Sequence, residues 1–331
     1  MQVPGAGALR GRADGRDLYR RRRPREGPLR LRRQTGRRGL GRGIHRARRP
    51  GPRRQAGSHP RRVGRKARIR TTLDWVNMRK RKKLILKSPK ETPGYKAWSD
   101  YVRTKISGII ENSIEEGNNK IYIYTNLKSL PLENINKVAG PFVEAWALEL
   151  FECIVDNEGN EYKLINVEAG KRLDAFDIVL QFKRETEKAE YITSHVDVKA
   201  TAEDIATSGR SPNITSYARI RNEYLKDPDY IFIVLSLKHK VYSERNKKTK
   251  MVQGTMEVVS FSVYDLKFVS SADLSYNPAL GYGQLQIRDI HYVTEEIRTV
   301  DEFLRFLDAK YIKTHGEKKW LELAIKNEWV K

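Results

Sequence analysis

Two aspartates and a lysine in the middle of the chain have the types and spacing of a hydrolytic metal site. Asp177 opens one apolar run, and Asp197-Val198-Lys199 closes the next. Paired carboxylates are oxygen ligands for Mg²⁺, and a bound metal lowers the pKa of water and neutralises charge on a phosphate. A lysine beside them can orient the water. Phosphodiester hydrolysis requires this combination, but spacing alone does not separate it from an exposed ion pair.

The surrounding sequence predicts two strands that position these residues. Phe176–Phe182 and Tyr191–Val198 are rich in β-forming residues and are separated by a charged turn, which is typical of a β-hairpin. Side chains at positions i and i+2 of a strand share a face. Asp197 and Lys199 are therefore expected to project together, with Asp177 close to them.

Three neighbouring features have competing interpretations. Asp174 is a rival for the first carboxylate, but we favour Asp177 because it lies inside the apolar strand pattern. His195 shares the face of Asp197 and has no apparent nucleophile partner, so it is interpreted as a residue that packs beside the site or supports Asp197, rather than as a base. The basic stretch Lys238–Lys248 is interpreted as a loop after a core strand, and a solvated charged hairpin is favoured over a phosphate contact.

Helix and strand patterns alternate in mixed order around this hairpin. The predicted helices are Tyr95–Glu115, Pro141–Cys153, Tyr217–Lys226, a helix from the capping box at Thr299 to about Asp308, and Lys318–Trp329. The further predicted strands are Tyr230–Leu237, Glu257–Val263 and Gly283–Arg288. These elements predict an α/β (α+β) domain with one mixed central β-sheet flanked by helices.

Several stretches, in order along the chain, resemble one family of nucleases. Asp177…Asp197-Val198-Lys199 resembles the PD-(D/E)XK nuclease motif, and the chain is similar to the HincII-like type II restriction endonucleases, close to the EcoRV-like branch. The stretches that carry the resemblance, within residues 130–312, are Gly140–Glu144, Phe176–Leu180, His195–Ala200, Ser211–Ser216, Tyr276–Ala279 and Gln284–Asp289. The resemblance implies a restriction-endonuclease-like core.

The resemblance also implies a role for each matching residue of the catalytic centre. Asp177 and Asp197 would hold Mg²⁺ together with the main-chain carbonyl of Val198. Lys199 would position and activate the attacking water. Glu144 would support the active site or a second metal, and a solvated acid at the helix edge is the alternative interpretation.

Five polar residues are predicted to contact DNA. Arg210, Asn213 and Thr215 belong to the stretch that resembles a DNA-contacting segment, and the amide of Asn213 suits bidentate recognition of adenine. Arg210 stands where the family has glutamine. We therefore expect the target sequence, or the bending of the DNA, to differ from that of the family. Gln284 and Gln286 alternate on one strand face, although polar residues on a solvent-facing strand show the same pattern.

Together these predictions describe a Mg²⁺-dependent, site-specific endonuclease of the type II restriction class that cleaves double-stranded DNA. The resemblance implies a homodimer, 5′-phosphate and 3′-hydroxyl products, blunt ends, and a cognate DNA methyltransferase in the same system. Two alternatives stay open. One is another PD-(D/E)XK nuclease, such as a repair or junction-resolving enzyme. The other is a non-enzymatic protein that binds nucleic acid through its basic N-terminal segment.

Charge is distributed unevenly along the 331 residues, whose formal net charge is +24. Residues 1–70 hold 25 basic and 3 acidic residues, whereas the remainder holds 40 basic and 38 acidic residues. A uniformly basic, histone-like protein is therefore excluded. We expect residues 1–77 to be a disordered Arg/Gly/Pro-rich extension, or sequence upstream of a true start at Met78. Residues 78–331 are expected to form a single endonuclease domain.

The sequence also bears on the cellular compartment. No apolar run approaches the ~20 residues of a membrane span, and the N-terminus lacks the apolar region of a secretory signal. Cys153, the single cysteine, excludes a disulfide framework and is expected to be a buried core residue. These features predict a cytoplasmic protein with no membrane partner.

Overall fold

The structure is a computed structural model, and it describes residues 84–123, 138–157, 159–171, 173–184, 191–245, 247–250, 252–279 and 283–331. The predicted extension over residues 1–77 and the predicted start at Met78 lie outside the described residues. The domain boundary at this point therefore stays a prediction.

The described residues form five α-helices. They are α1 (Tyr95–Glu115), α2 (Ala139–Val155), α3 (Tyr217–Lys226), α4 (Val300–His315) and α5 (Glu317–Lys326). In α1, Val102, Ile106 and Ile110 repeat at helical spacing and are fully buried. The Thr299 and Glu302 side chains form the predicted capping box at the start of α4. Within the described ranges, no helix has both the length and the apolar composition for crossing a bilayer.

Nine strands in the described part of the chain form two sheets. They are β1 (Lys120–Ile123), β2 (Leu164–Ala169), β3 (Ile178–Lys183), β4 (Tyr191–Ala202), β5 (Asn213–Ser216), β6 (Ile231–Arg245), β7 (Val252–Asp265), β8 (Leu274–Asn277) and β9 (Gln284–Ile287). Six of them form a mixed central sheet in the order β1-β7-β6-β4-β3-β2, in which β4 and β6 are parallel. The other three form a small antiparallel sheet in the order β5-β9-β8.

Two hydrophobic cores cover the two faces of the central sheet. Helices α1 and α2 pack on one face, against side chains that include Val198 and Leu235. Helices α3, α4 and α5 and the small sheet pack on the other, against Phe232 and Val234. Strand β6 is thus buried on both faces, as its continuous apolar run predicted. The predicted α/β architecture, a mixed central sheet flanked by helices, is confirmed.

Two local predictions are wrong. The sequence predicts a loop over Lys238–Lys248, but β6 continues through Arg245 and pairs with β7 as far as Val252, which agrees with the charged hairpin weighed against phosphate contact. The strand persists because ladder hydrogen bonds join main-chain groups, whatever the polarity of the side chains. Cys153 is exposed rather than buried, because Phe151 takes the core-facing position in that turn of α2.

Candidate active site

Asp177 and Asp197 face each other where β3 pairs with β4. The register Ile178↔Val196 places Asp177, the residue immediately before β3, opposite Asp197. The Asp177 N–H donates to the Val196 carbonyl over 2.9 Å, and Asp177 Oδ2 accepts a 2.8 Å hydrogen bond from the Val198 N–H. The predicted hairpin and the predicted proximity of the two aspartates both agree with the structure.

Asp197 is buried, and only one of its two carboxylate oxygens is paired. The Lys199 Nζ donates to Oδ1 over 2.7 Å and lies 3.4 Å from the Val198 carbonyl oxygen. Oδ2 has no hydrogen-bond partner among the described residues. Burial raises the pKa of Asp197 to about 7, with Asp177 and Glu144 adding to the rise and Lys199 opposing it. An unpaired buried oxygen is unfavourable, so Oδ2 fits a ligand that the chain itself does not supply.

The main-chain carbonyl of Val198 points to the same edge as Asp177. Main-chain groups of a strand alternate between its two neighbours, so residues 196 and 198 direct theirs to the same side. The Val196 carbonyl and the Val198 N–H both bond Asp177. In the described part of the chain, no group of three or more His, Cys, Asp or Glu side chains is arranged to hold a metal. Two carboxylates and one carbonyl are nevertheless the oxygen ligands that Mg²⁺ prefers.

A cleft of about 310 Å³ opens beside Asp177. The residues that line it are Pro141, Glu144, Ala145, Leu148, Gly170, Lys171, Asp174, Phe176, Asp177 and Ile178. The pKa of Glu144 is raised by its burial and by Asp177, and Lys199 lowers it. Helix α2 therefore brings the predicted Glu144 close to the two carboxylates. The sequence alone did not indicate that this helix packs beside the β3–β4 hairpin.

Gly170 holds the main chain of Asp177 in place, a role that sequence reasoning missed. Its N–H donates to the Asp177 carbonyl over 2.6 Å. A Cβ atom at this position would lie 2.4 Å from the Phe176 carbonyl oxygen and 3.0 Å from that of Asp177. Only glycine permits so close an approach of two main chains. No local signal marks this glycine, because the contact joins the end of β2 to the start of β3.

Asp174, the rival for the first carboxylate, has a different environment. Its Oδ2 accepts a 2.8 Å hydrogen bond from the Lys171 N–H, and its carbonyl accepts one of 2.8 Å from Arg219 of α3. Asp174 thus closes a turn and ties it to a helix. The structure favours Asp177 because that residue lies opposite Asp197.

His195 lies between two aromatic rings. Its ring centroid is 4.2 Å from that of Tyr230 in a stacked arrangement and 4.6 Å from that of Phe176. Burial lowers the pKa of His195 to about 4, so the imidazole is neutral near pH 7. The arrangement agrees with the predicted packing role.

Four of the five residues predicted to contact DNA lie at accessible positions on or beside the small sheet. Arg210 and Asn213 are exposed, and Gln284 and Gln286 alternate with buried residues along β9. Gln286 Nε2 donates to Asn213 Oδ1 over 2.9 Å. These two amides therefore form one polar unit at the surface.

Thr215 is the exception, because its side chain is only 4% exposed. The pairing of β5 with β9 is irregular between Asn213 and Ser216, and both intervening residues, Ile214 and Thr215, are buried. Simple alternation would expose one of them. Direct contact of Thr215 with DNA is not supported.

Comparisons with known proteins relate the chain to characterised enzymes. The family model described as type II restriction endonuclease HpaI matches residues 82–328. The type II restriction enzyme HpaI of Haemophilus parainfluenzae is 50% identical over 255 residues, which cover 76% of this chain and 99% of that enzyme. Among solved structures, the NlaIV restriction endonuclease aligns with a TM-score of 0.36 and 13% identity, over 67% of this chain and 88% of that chain. Since the family model spans most of its length, the chain belongs to the HpaI family of type II restriction endonucleases and is a site-specific nuclease.

Proposed function

We propose that the chain hydrolyses phosphodiester bonds of double-stranded DNA in a Mg²⁺-dependent reaction at Asp177, Asp197 and Lys199. The products would carry 5′-phosphate and 3′-hydroxyl ends. The observation that carries the proposal is the unpaired Oδ2 of Asp197, buried beside a lysine and opposite a second carboxylate. Most buried side-chain oxygens in folded proteins are paired, which favours a ligand from outside the chain at Oδ2.

Asp177, Asp197 and the Val198 carbonyl would hold the metal ion. When bound, Mg²⁺ would lower the pKa of a coordinated water and neutralise charge at the scissile phosphate. The donor set fits this ion because all three ligands are oxygens. Asp177 keeps its Oδ2 on the Val198 N–H, which orients its other oxygen, and Asp197 has an unpaired oxygen to offer.

Lys199 would hold and orient the attacking water. Its ammonium group is already anchored by Asp197, and its side chain is only 21% exposed, so its position is restricted before DNA binds. A positive charge next to a water molecule favours the deprotonated form. Glu144 lies at the wall of the same cleft and would support the site through its interactions with Asp177 and Lys199.

The surface that reads the DNA sequence is assigned to Arg210, Asn213, Gln284 and Gln286. Arginine suits the O6 and N7 atoms of guanine, and amides suit adenine. The hydrogen bond between Asn213 and Gln286 orients both amides before DNA arrives. Binding to a base edge would exchange that bond for bonds to the base.

Several finer features follow from the class of enzyme. A palindromic target would be cut by a homodimer, because two-fold symmetry in the DNA matches two-fold symmetry in the protein. A cognate methyltransferase would protect the host sequence, and both enzymes would act in the cytoplasm. The motifs retain their resemblance to the HincII-like enzymes, which suggests blunt ends.

Digestion of plasmid DNA by the full chain in Mg²⁺ tests the proposal. We expect discrete fragments with 5′-phosphate ends, and no cleavage in EDTA. Lys199→Ala and Asp197→Ala should each lower the cleavage rate at least ~10²-fold. Asp174→Asn is the matched control, since it removes a carboxylate from the same cleft, and it should retain most activity. An active Lys199→Ala protein would refute the site, and cleavage restricted to branched DNA would favour a junction-resolving nuclease.

A further inference from the structure

A two-stranded arm extends from the central sheet and has no role in the site described above. In the described part of the chain, strand β4 accompanies β6 as far as Ala202↔His239, and β1 accompanies β7 as far as Gly254. Among the described residues, β6 and β7 pair only with each other beyond these points, up to Arg245↔Val252. We call the described residues 244–245 and 247–250 the basic arm.

The basic arm concentrates positive charge on exposed side chains. Arg245, Lys247, Lys248 and Lys250 stand against a single acid, Glu244, and all five are exposed. Residues 71–331 are close to neutral overall, with 40 basic and 38 acidic residues. Like charges so close together repel one another, and a polyanion relieves that repulsion.

The direction of β6 relates the arm to the catalytic residues. β6 runs parallel to β4, and Ser236 lies opposite Lys199. Arg245 lies nine residues farther along the same strand, which at ~3.3 Å per residue is about 30 Å. At 3.4 Å per base pair of duplex this distance corresponds to about 9 base pairs.

The strand that continues into the arm also passes near the surface assigned to DNA reading. The pKa of His291 is lowered by its burial and by the charge of Lys238 in β6, which places these two residues near each other. His291 follows Asp289, which pairs with Arg210. Lys238 lies six residues before Glu244 in β6, so the arm begins about 20 Å beyond this contact.

We propose that the basic arm binds phosphates of duplex DNA that flanks the recognition sequence, about 9 base pairs from the scissile phosphate. The inference rests on the proposed function, because the distance is measured from Lys199. Phosphate contacts carry no sequence information but contribute affinity. The arm would increase the affinity of the enzyme for long DNA without changing the sequence that it cuts.

The length of the flanking DNA tests this proposal. Two duplexes carry the cleavage site mapped from the plasmid digest, one with flanks of about 4 base pairs and one with flanks of about 20, so that only the second reaches the arm. Wild-type enzyme should show a higher kcat/KM on the long duplex. The triple variant Arg245→Gln/Lys247→Gln/Lys250→Gln should show no preference for length. The matched control Lys313→Gln/Lys318→Gln/Lys319→Gln removes three exposed charges elsewhere and should keep the preference.

Salt dependence provides a second measurement. Each phosphate contact contributes about 0.9 to the slope of log K against log salt, so three contacts contribute about 2.7 for each arm. Between about 50 and 200 mM salt, binding of the long duplex in EDTA should weaken by about 40-fold more per engaged arm for wild type than for the arm variant.

Four outcomes would overturn the proposal. They are a wild-type enzyme indifferent to flank length, an arm variant that keeps the preference, a control variant that loses it, and an arm variant with an altered oligomeric state in sedimentation. The last would identify the arm as a contact between subunits. Failure of the proposed site would appear separately, as an active Lys199→Ala protein, because every protein in the length comparison retains Lys199.

Discussion

Replacement of Gly170 by alanine tests how the fold positions the first carboxylate. The added Cβ would lie 2.4 Å from the Phe176 carbonyl oxygen, and ordinary contact begins at 3.4 Å. The main chain at the start of β3 must therefore move by about 1.0 Å. That shift lengthens the 2.6 Å hydrogen bond from the Gly170 N–H to the Asp177 carbonyl and moves Asp177 relative to Val198.

A displacement of about 1 Å at a catalytic group can lower the rate ~10²-fold. Overpacking of this kind costs about 1–3 kcal/mol of folding free energy, which in a domain of this size lowers Tm by roughly 2–4 °C per kcal/mol. We expect Gly170→Ala to remain folded, with a Tm reduced by a few degrees and kcat for plasmid cleavage reduced about 10²-fold.

Gly108→Ala is the matched control. Its new Cβ would lie 3.0 Å from the ring edge of Tyr162, a side chain that can move, and alanine in a helix gains about 1 kcal/mol over glycine. Cleavage and thermal unfolding are measured for both variants well below their Tm. If Gly170→Ala cleaves at the wild-type rate, whether or not its Tm falls, the idea that Gly170 positions Asp177 is refuted.

Four further variants probe the site and the fold. Asp177→Asn keeps an oxygen to accept from the Val198 N–H but loses its charge, so cleavage should fall at least ~10²-fold with little change in Tm; near-normal cleavage would exclude Asp177 as a ligand. In the wild type, Asp308 accepts hydrogen bonds of 2.7 and 2.9 Å from the fully buried Arg221. Asp308→Ala removes that partner, so urea unfolding should show a loss of about 3–5 kcal/mol in the free energy of unfolding; a loss below about 1 kcal/mol would contradict this. Thr299→Ala should cost about 1 kcal/mol. Hydrogen bonds from Thr299 hold the pKa of Glu302 below its usual range, so the stability from this carboxylate is present above its unfolded-state pKa of roughly 4.3. This stability is lost as the pH falls through the lower pKa of the folded state. Glu302→Gln should remove this contribution to the pH dependence of unfolding, and an unchanged pH profile would contradict the prediction.

The basic stretch after the core strand shows where local patterns mislead. Its charged residues resemble a solvated loop, because a strand is recognised from alternating or apolar side chains. In the structure β7 supplies main-chain partners for β6 as far as Arg245. The sequence near Lys238 contains no information about where that partner strand ends.

The residue types, the strand period and the hairpin turn were enough to predict from sequence that Asp177, Asp197 and Lys199 lie close together. Asp197 and Lys199 share a face because side chains alternate along any strand, and Asp177 meets them because the two strands are adjacent in the chain. The helices were predicted for the same reason, since their apolar spacing is local. All these features depend on contacts between residues close in sequence.

Only the tertiary structure determined which distant elements complete the site. Glu144 reaches the cleft because α2 packs on the face of the sheet that carries Val198. Gly170 is required because the Phe176 carbonyl oxygen lies 2.4 Å from where a Cβ atom would stand, and Thr215 is buried because β5 pairs irregularly with β9. Each of these facts depends on close packing between separate elements of the fold, and side-chain periodicity does not encode such packing.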